Sequence, residues 1–324
     1  MAIKLGELNM THGLCLAPMA GYTDRGMRLV CRKYGVEHSV TEMVSAKAVV
    51  YDDKKTFALA KILADEGPVS IQIFGSEPDI MAQAAGVLAN PTEGVRPVAI
   101  DINMGCPVNK IFGNGEGSAL MKNPDLIYRI TKAVSRAIDI PTTVKIRAGV
   151  NKNSINAIEC ALAAEEGGAS LLCIHGRTRE QMYGGAADRE IIKNVKSALH
   201  IPLIANGDII DSTSALSMLK DTGADGIAIG RGAVGNPFIF EEIIRALEGR
   251  RFSEPTLEER IDTALLQLRT AVEEKGERVA IPEARKQIAL YLRSFRGAAR
   301  IRAEINRSTT YEEVAKALKS ALDD

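Results

Sequence analysis

No stretch of this chain stays apolar for the roughly 18 to 20 residues that a membrane-crossing helix needs, so no membrane span is expected. The opening, MAIKLGELNM, has neither a long apolar core nor a small-residue cleavage site, and no secretory signal is expected from it. Net charge is also missing: 41 Lys and Arg balance 41 Asp and Glu, so the molecule is not a polycation and any nucleic-acid contact must come from a local patch. The five cysteines form no CxxC and no Cys/His cluster, which argues against a disulfide framework and a structural metal. A reducing, cytoplasmic setting is the simple expectation. There is no low-complexity segment.

The pattern that is present is alternation. Short apolar runs occur at 14–18 (LCLAP), 38–42, 69–75 (VSIQIFG), 98–103, 143–148 (TVKIRA), 171–176, 202–207 and 225–230. Their near-continuous hydrophobicity suits parallel strands buried on both faces. Between them lie helical patterns such as PDLIYRITKAVSRAI and STSALSMLKDTG. Eight β/α units in about 250 residues predict an α/β fold, a (β/α)8 TIM barrel. A doubly wound open sheet is the rival, but LAPMAGYTD after the first strand is not the Gly-rich turn that fold usually carries.

The alternation stops around GRRFSEP, 249–255, and the rest of the chain reads as helical. Thr256 with Glu259, and Thr309 with Glu312, have the spacing of capping boxes. The expected organisation is a catalytic barrel over 1–250 and a small all-helical domain over 251–324.

In such barrels the C-terminal strand ends build the active site. Here they carry Pro18, Met19 and Ala20; Glu42; Gln72; Asn103, with Cys106 just beyond; Lys145 and Arg147; His175 and Arg177; Asn206, Gly207 and Asp208; and Gly230 and Arg231. Lys145 and Arg147 lie two apart on one strand and share a face. A buried, unpaired cation costs several kcal/mol, so these two need anions. Asp101, Glu42 and Asp208 could supply them in a purely structural network; an anionic ligand is the functional alternative. The glycine-bearing loops ANGDI and GRGAVGNP come after strands seven and eight, a frequent phosphate site in this fold. Phosphate there, with a lysine across the mouth, suits flavin mononucleotide (FMN). Lys145 would face the ring's N1/O2 edge, Pro18 and Met19 would form an apolar floor, and Gln72 would meet the polar edge.

Cys106 sits in DINMGCPVNK between a glycine and a proline, where an apolar run ends. From its position alone it could be core filler, metal ligand, nucleophile or acid. Taken with LAPMAGYTD, TEMVSAKA, IQIFGSEP, GSALMKNP, VKIRAG, HGRTREQMYGGAAD, IANGDI and GIAIGRGAVGNPFIFEEI, the stretch closely resembles the tRNA-dihydrouridine synthases over residues 14–243, in family order and spacing. ARKQIALYLRSF resembles the family's helical RNA-binding domain. The resemblance implies a flavoenzyme that uses NADPH to reduce a uracil C5=C6 bond in tRNA. It implies Cys106 as proton donor to C5. It implies Pro18, Met19, Ala20, Gln72, Lys145, His175, Asn206, Gly207, Asp208, Gly230 and Arg231 around FMN, and Asn103, Arg147 and Arg177 at or beside the substrate. Cys15, Cys31, Cys160 and Cys173 are expected to be small buried hydrophobes.

A uracil in stacked RNA must be extruded to reach a flavin, at a few kcal/mol of unstacking. Residues 241–324 carry sixteen basic and sixteen acidic side chains, yet 284–307 holds seven basic residues against Glu304 alone. Lys286, Arg293, Arg296, Arg300 and Arg307 would share one helical face if a helix runs through Gly297. Lys286, Arg293 and Arg296 are therefore the expected RNA contacts. The chain departs from the family pattern at Gly113, where a basic residue is usual, and at Glu116, where Ala is usual. It has no tryptophan, although the family favours one at the positions of Val150, Arg189 and Phe238. Glu116 is expected to put a negative charge on a loop facing RNA. These departures bear on which RNA is bound, tRNA or ribosomal RNA. A barrel flavoenzyme acting on a free pyrimidine, or a flavin-bound RNA-binding protein with little catalysis, would be the other classes.

Overall fold

The computed structural model describes residues 2–293 and 295–323. Its centre is a closed barrel of eight parallel strands. An antiparallel hairpin, β1 (Ile3–Leu5) and β2 (Leu8–Met10), precedes the barrel. The barrel strands are β3 (Leu14–Leu16), β4 (His38–Ser45), β5 (Val69–Phe74), β6 (Ile100–Met104), β7 (Thr142–Arg147), β8 (Leu171–His175), β9 (Leu203–Asn206) and β10 (Gly226–Ile229), which pairs back onto β3. Every expected strand is present, most of them a residue or two shorter than its apolar run. The hairpin was not expected. Its strands are three residues each, too short to register as runs. Ile3, Leu5 and Met10 are buried against Cys15, Leu171, Ile204 and Ala228, so the hairpin stops the end of the barrel where the strands begin.

The surrounding helices obey their sequence signals. Pro124–Ala137 starts on Asn123, whose side chain accepts from the Leu126 N–H, with Pro124 at the first helical position. Its buried residues, Ile127, Ile130, Thr131 and Val134, recur at three and four and form one face against the sheet.

After the barrel come helices Leu257–Lys275 and Glu277–Ile288, a 3-10 turn at Ala289–Leu292, and helices Ala298–Arg307 and Tyr311–Lys319. They enclose their own apolar cluster, which also takes in Phe238 and Tyr34 from the barrel side. Thr256 and Glu259 form the expected capping box. The second box lies one residue later than expected, on Thr310 and Glu313, whose carboxylate also accepts from the Thr309 N–H at 2.6 Å. No helix runs through Gly297. That residue has φ +96 and begins a new helix, so the expected single basic face is broken. Lys286 lies on Glu277–Ile288, Arg293 and Arg296 come after the 3-10 turn, and Arg300 and Arg307 belong to the next helix. Among the described residues, no helix is long and apolar enough to cross a membrane.

Candidate active site at the C-terminal rim of the barrel

Parallel register sets the rim. Lys145 on β7 pairs with Asn103 on β6 and Cys173 on β8, and Arg147 pairs with His175. A chain of hydrogen bonds then runs across the barrel interior. Thr143 Oγ1 and Gln72 Nε2 donate to Asp101, at 2.5 and 2.6 Å. Asn103 Nδ2 donates to Gln72 Oε1 at 2.8 Å, and Asn103 Oδ1 accepts from the N–H groups of Gly105 (3.2 Å) and Cys106 (2.9 Å). The cysteine loop is thus hung from the end of β6. On its other side the Cys106 carbonyl accepts from the Ser118 N–H and hydroxyl.

Cys106 is nearly buried. Burial pushes its thiol above the usual range, against the opposing pull of the Val108 N–H and the Arg147 guanidinium. It therefore stays protonated at neutral pH. The other four cysteines are free and buried. Cys15 and Cys173 face the barrel interior, where Lys145, Asp101 and His38 also line a small cavity.

Lys145 donates one hydrogen bond, to Asn206 Oδ1 at 3.1 Å, and Asn206 in turn donates to the Ala228 carbonyl. Burial, helped by Arg147 and opposed by Cys173 and Asp101, lowers its pKa. Among the described residues no carboxylate lies within 4 Å of it, so a structural network of the two cations with Glu42, Asp101 and Asp208 does not form: Glu42 accepts from the Gly21 N–H, and Asp208 binds Arg177. Arg147 is satisfied differently from the expectation of an anion. Its Nε donates to the Gly105 carbonyl, and Nη1 to the carbonyls of Thr178 and Met182, each at 2.9 Å. Nη2 has no partner among the described residues. Burial pulls this arginine down to about 10.

Arg177 is fully committed within the protein. It donates to the Gly184 and Gly185 carbonyls, to both oxygens of Asp208 (2.7 and 2.9 Å) and, at 3.3 Å, to His175 Nε2. Its place is behind the rim, holding the 182–185 loop and orienting His175. His175 is lowered to about 2 by burial and by Lys145, Arg147, Arg177 and Arg231, so it is a neutral imidazole. Burial raises the Asp208 carboxyl, but the Ala187 N–H, Arg177 and Arg231 outweigh it and leave it below the usual range.

The loops after β9 and β10 meet closely. A Cβ on Gly207 would lie 2.7 Å from Ala187 Cβ, and one on Gly232 would lie 2.2 Å from the Ile209 carbonyl oxygen. Gly230 lies beside Met19, whose sulfur would be 3.4 Å from a Cβ there. Pro18 and Met19 are half-buried and Ala20 is exposed. Arg231 is 58% exposed on its side chain and stacks on the Tyr183 ring at 4.8 Å, with Arg147 5.9 Å from the same ring. Tyr183 was not singled out from the sequence, although it lies inside the HGRTREQMYGGAAD stretch. Nor was Phe112, which Arg179 and Lys122 approach at 4.0 and 4.5 Å, tying the loop after Cys106 to the loop after β8.

One expectation about the rim needs correction. Glu116 does not face outward: it is buried, which raises its carboxyl against the pull of Lys47 and Asn114. Of the three positions where the family favours tryptophan, Val150 and Phe238 are core and Arg189 pairs with Asp221 on the surface. Lys286, Arg293 and Arg296 are exposed; Lys286 lies over the Tyr22 ring in the loop after β3, and none of the three enters the hydrogen-bond chain of the rim. Among the described residues no cluster of His, Cys, Asp or Glu is placed to hold a metal.

A parallel barrel with a buried cation, paired glycine loops and a protonated thiol at one rim is the framework of an α/β-barrel enzyme. The profile of the dihydrouridine synthase (Dus) family matches residues 15–324. The chain is 40% identical to tRNA-dihydrouridine synthase B of Shewanella oneidensis, covering 90% of this chain and 89% of that one. It is 38% identical to tRNA-dihydrouridine synthase B of Vibrio cholerae over 99% of both, and 37% identical to a probable tRNA-dihydrouridine synthase of Rickettsia conorii over 94% and 91%. Histamine dehydrogenase from a Rhizobium species shares the fold, with a TM-score of 0.57 at 10% identity over 88% of this chain and 50% of that one. The chain belongs to the dihydrouridine synthase family.

Proposed function

We propose that this protein reduces the C5=C6 bond of uridines in tRNA, with FMN as resident cofactor, NADPH as reductant and Cys106 as the acid. The observation that carries the reading is the thiol itself, kept protonated by burial at a rim where Arg147 and Lys145 also converge. The residues present fit FMN. Lys145 is half-buried, with a single neutral hydrogen-bond partner and no carboxylate within ion-pair distance among the described residues. The 207 and 230–232 loops bring backbone close where a phosphate would be held, beside the exposed Arg231. Pro18, Met19, Ala20, Gln72, His175, Asn206 and Asp208 complete the enclosure.

Reduced flavin, when bound, supplies a hydride to uracil C6. Everything else falls to the chain. The electron pair of the double bond moves to C5 and its adjoining carbonyl, and C5 takes the proton from Cys106 Sγ. A thiol holds its proton at pH 7 yet releases it to a carbanionic carbon; a carboxylate would already be ionised. The Arg147 guanidinium stabilises the thiolate left behind, and solvent returns the proton. Asn103 fixes the loop through the Cys106 N–H, and Arg177 and Asp208 hold together the loops after β8 and β9. The barrel, residues 1–250, performs the chemistry. The helices of 251–324, with Lys286, Arg293 and Arg296, grip tRNA and offset the unstacking of the target nucleotide.

The test is Cys106→Ala. Reduction of tRNA uridine is expected to fall by roughly 10²- to 10⁴-fold, the range for a lost general acid, while NADPH still bleaches the bound flavin at the normal rate. In cells, deletion of the gene should remove dihydrouridine from specific tRNA positions. An unchanged tRNA map, or a loss confined to ribosomal RNA, would refute the assignment.

A further inference from the structure

The loop after β3 is held from two sides. At its apex Gly21 has φ +73; its N–H donates to Glu42 on the barrel. Its carbonyl accepts at 3.2 Å from Gln287 Nε2, on the helix Glu277–Ile288. Gln287 is the end of a buried chain. Tyr291 OH donates to Gln267 Oε1 at 2.6 Å, and Gln267 Nε2 donates to Gln287 Oε1 at 2.8 Å. All three side chains are 3% exposed or less. A backbone carbonyl can only accept, so the chain has one sense, with each donor pointing toward the loop. Two further contacts join the same elements: Lys275 Nζ lies 3.0 Å from Asp24, which caps helix Arg25–Lys33, and Lys286 Nζ lies 4.1 Å above the Tyr22 ring. Packing leaves no slack, because a Cβ on Gly26 would sit 2.5 Å from the Gln267 carbonyl oxygen.

The three residues before Gly21 are Pro18, Met19 and Ala20. We propose that Gln287 is a positioning residue for the flavin, setting the Pro18–Gly21 loop from the helical region, so that RNA held by that region tightens flavin binding. This rests on the reading of that loop as the flavin floor. Gln287 touches no reacting atom; it acts through the Gly21 carbonyl. Its neighbour Lys286 is exposed beside the same loop, so a phosphate drawn to that lysine bears on the helix that carries Gln287. Linkage is reciprocal: whatever RNA does to flavin affinity, flavin does to RNA affinity.

The experiment uses the full chain with FMN bound, diluted so that flavin release is read from its rising fluorescence, with and without an unmodified tRNA transcript. In the unaltered protein tRNA is expected to slow release. Gln287→Leu should release FMN about three- to tenfold faster, the factor for one lost hydrogen bond, and should lose the tRNA effect. Tyr291→Phe removes one oxygen and no packing, and should shift release the same way by a smaller factor, with the melting temperature lowered by only a few degrees because Gln267 Oε1 loses its donor. If Gln287→Leu does not fold, Tyr291→Phe decides. Release at the unaltered rate in every folded variant, with the tRNA effect intact, overturns the proposal. A starting protein that retains no FMN overturns the flavin reading beneath it, a distinguishable result.

Discussion

Cys106 and His38 show burial as the largest influence on a residue's protonation. Burial raises the Cys106 thiol, so the proposed acid form persists beyond the ordinary thiol range. Single-turnover uridine reduction should therefore stay flat with pH up to and somewhat past about pH 8.5, the ordinary thiol value, and decline only above it. A decline beginning below about pH 8 would contradict a protonated donor. His38 lies inside the barrel, with Nε2 2.7 Å from Ser70 Oγ and Nδ1 3.8 Å from Cys15 Sγ. Burial lowers it from 6.5 to about 4. Between those values the unfolded chain binds the extra proton and the folded chain does not. The imidazole's contribution is thus fully present above pH 6.5 and is lost as pH falls toward 4, up to about 3 kcal/mol. Urea midpoints measured from about pH 7 to about pH 4 should fall accordingly, and His38→Gln should flatten part of that slope. Arg177 marks the limit of reading single residues. Its place in HGRTREQ implied a position at or beside the substrate, but its partners could not be read from the sequence, since three of them are loop groups, at Gly184, Gly185 and Asp208, that only the folded chain brings together.

Most barrel strands were legible because they lie in short runs rich in apolar residues; β4, HSVTEMVS, carries the weakest such signal. The hairpin was not, since three residues with a turn at Gly6 carry no periodicity. The second capping box was legible to within a residue: two threonines, then two glutamates at matching spacing, leave two registers open, and the Glu313 carboxylate settles it by accepting from both Thr309 and Thr310. Basic residues at helical spacing suggested one long helix, but Gly297 adopts a conformation that ends the preceding segment. At this scale the loop after β10 offers a sharp test. Gly232→Ala would set a Cβ 2.2 Å from the Ile209 oxygen, a backbone atom that cannot swing aside. The variant is expected to purify with little or no yellow colour and to melt several degrees lower. Full retention of FMN would show that the two loops do not jointly form its phosphate seat.

For the molecule as a whole, zero net charge gives no overall attraction for RNA, so the grip must come from a local patch. The affinity for tRNA should fall steeply with salt, and Arg293→Gln and Arg296→Gln should each reduce the log–log slope by about one if each neutralises a phosphate. Slopes that do not change would move the RNA grip elsewhere. Because Phe238 packs against Tyr34, with ring centroids 4.4 Å apart, and both join the apolar cluster of the final helices, a chain cut at residue 250 should expose that surface and aggregate.

The stopper formed by Ile3, Leu5 and Met10 has a kinetic corollary. With the floor of the barrel sealed, a flavin held as proposed would be reached from the open rim alone. Were the reductant and the nucleobase to share that doorway in turn, initial-rate plots against either one would be parallel lines, and intersecting lines would count against a shared doorway.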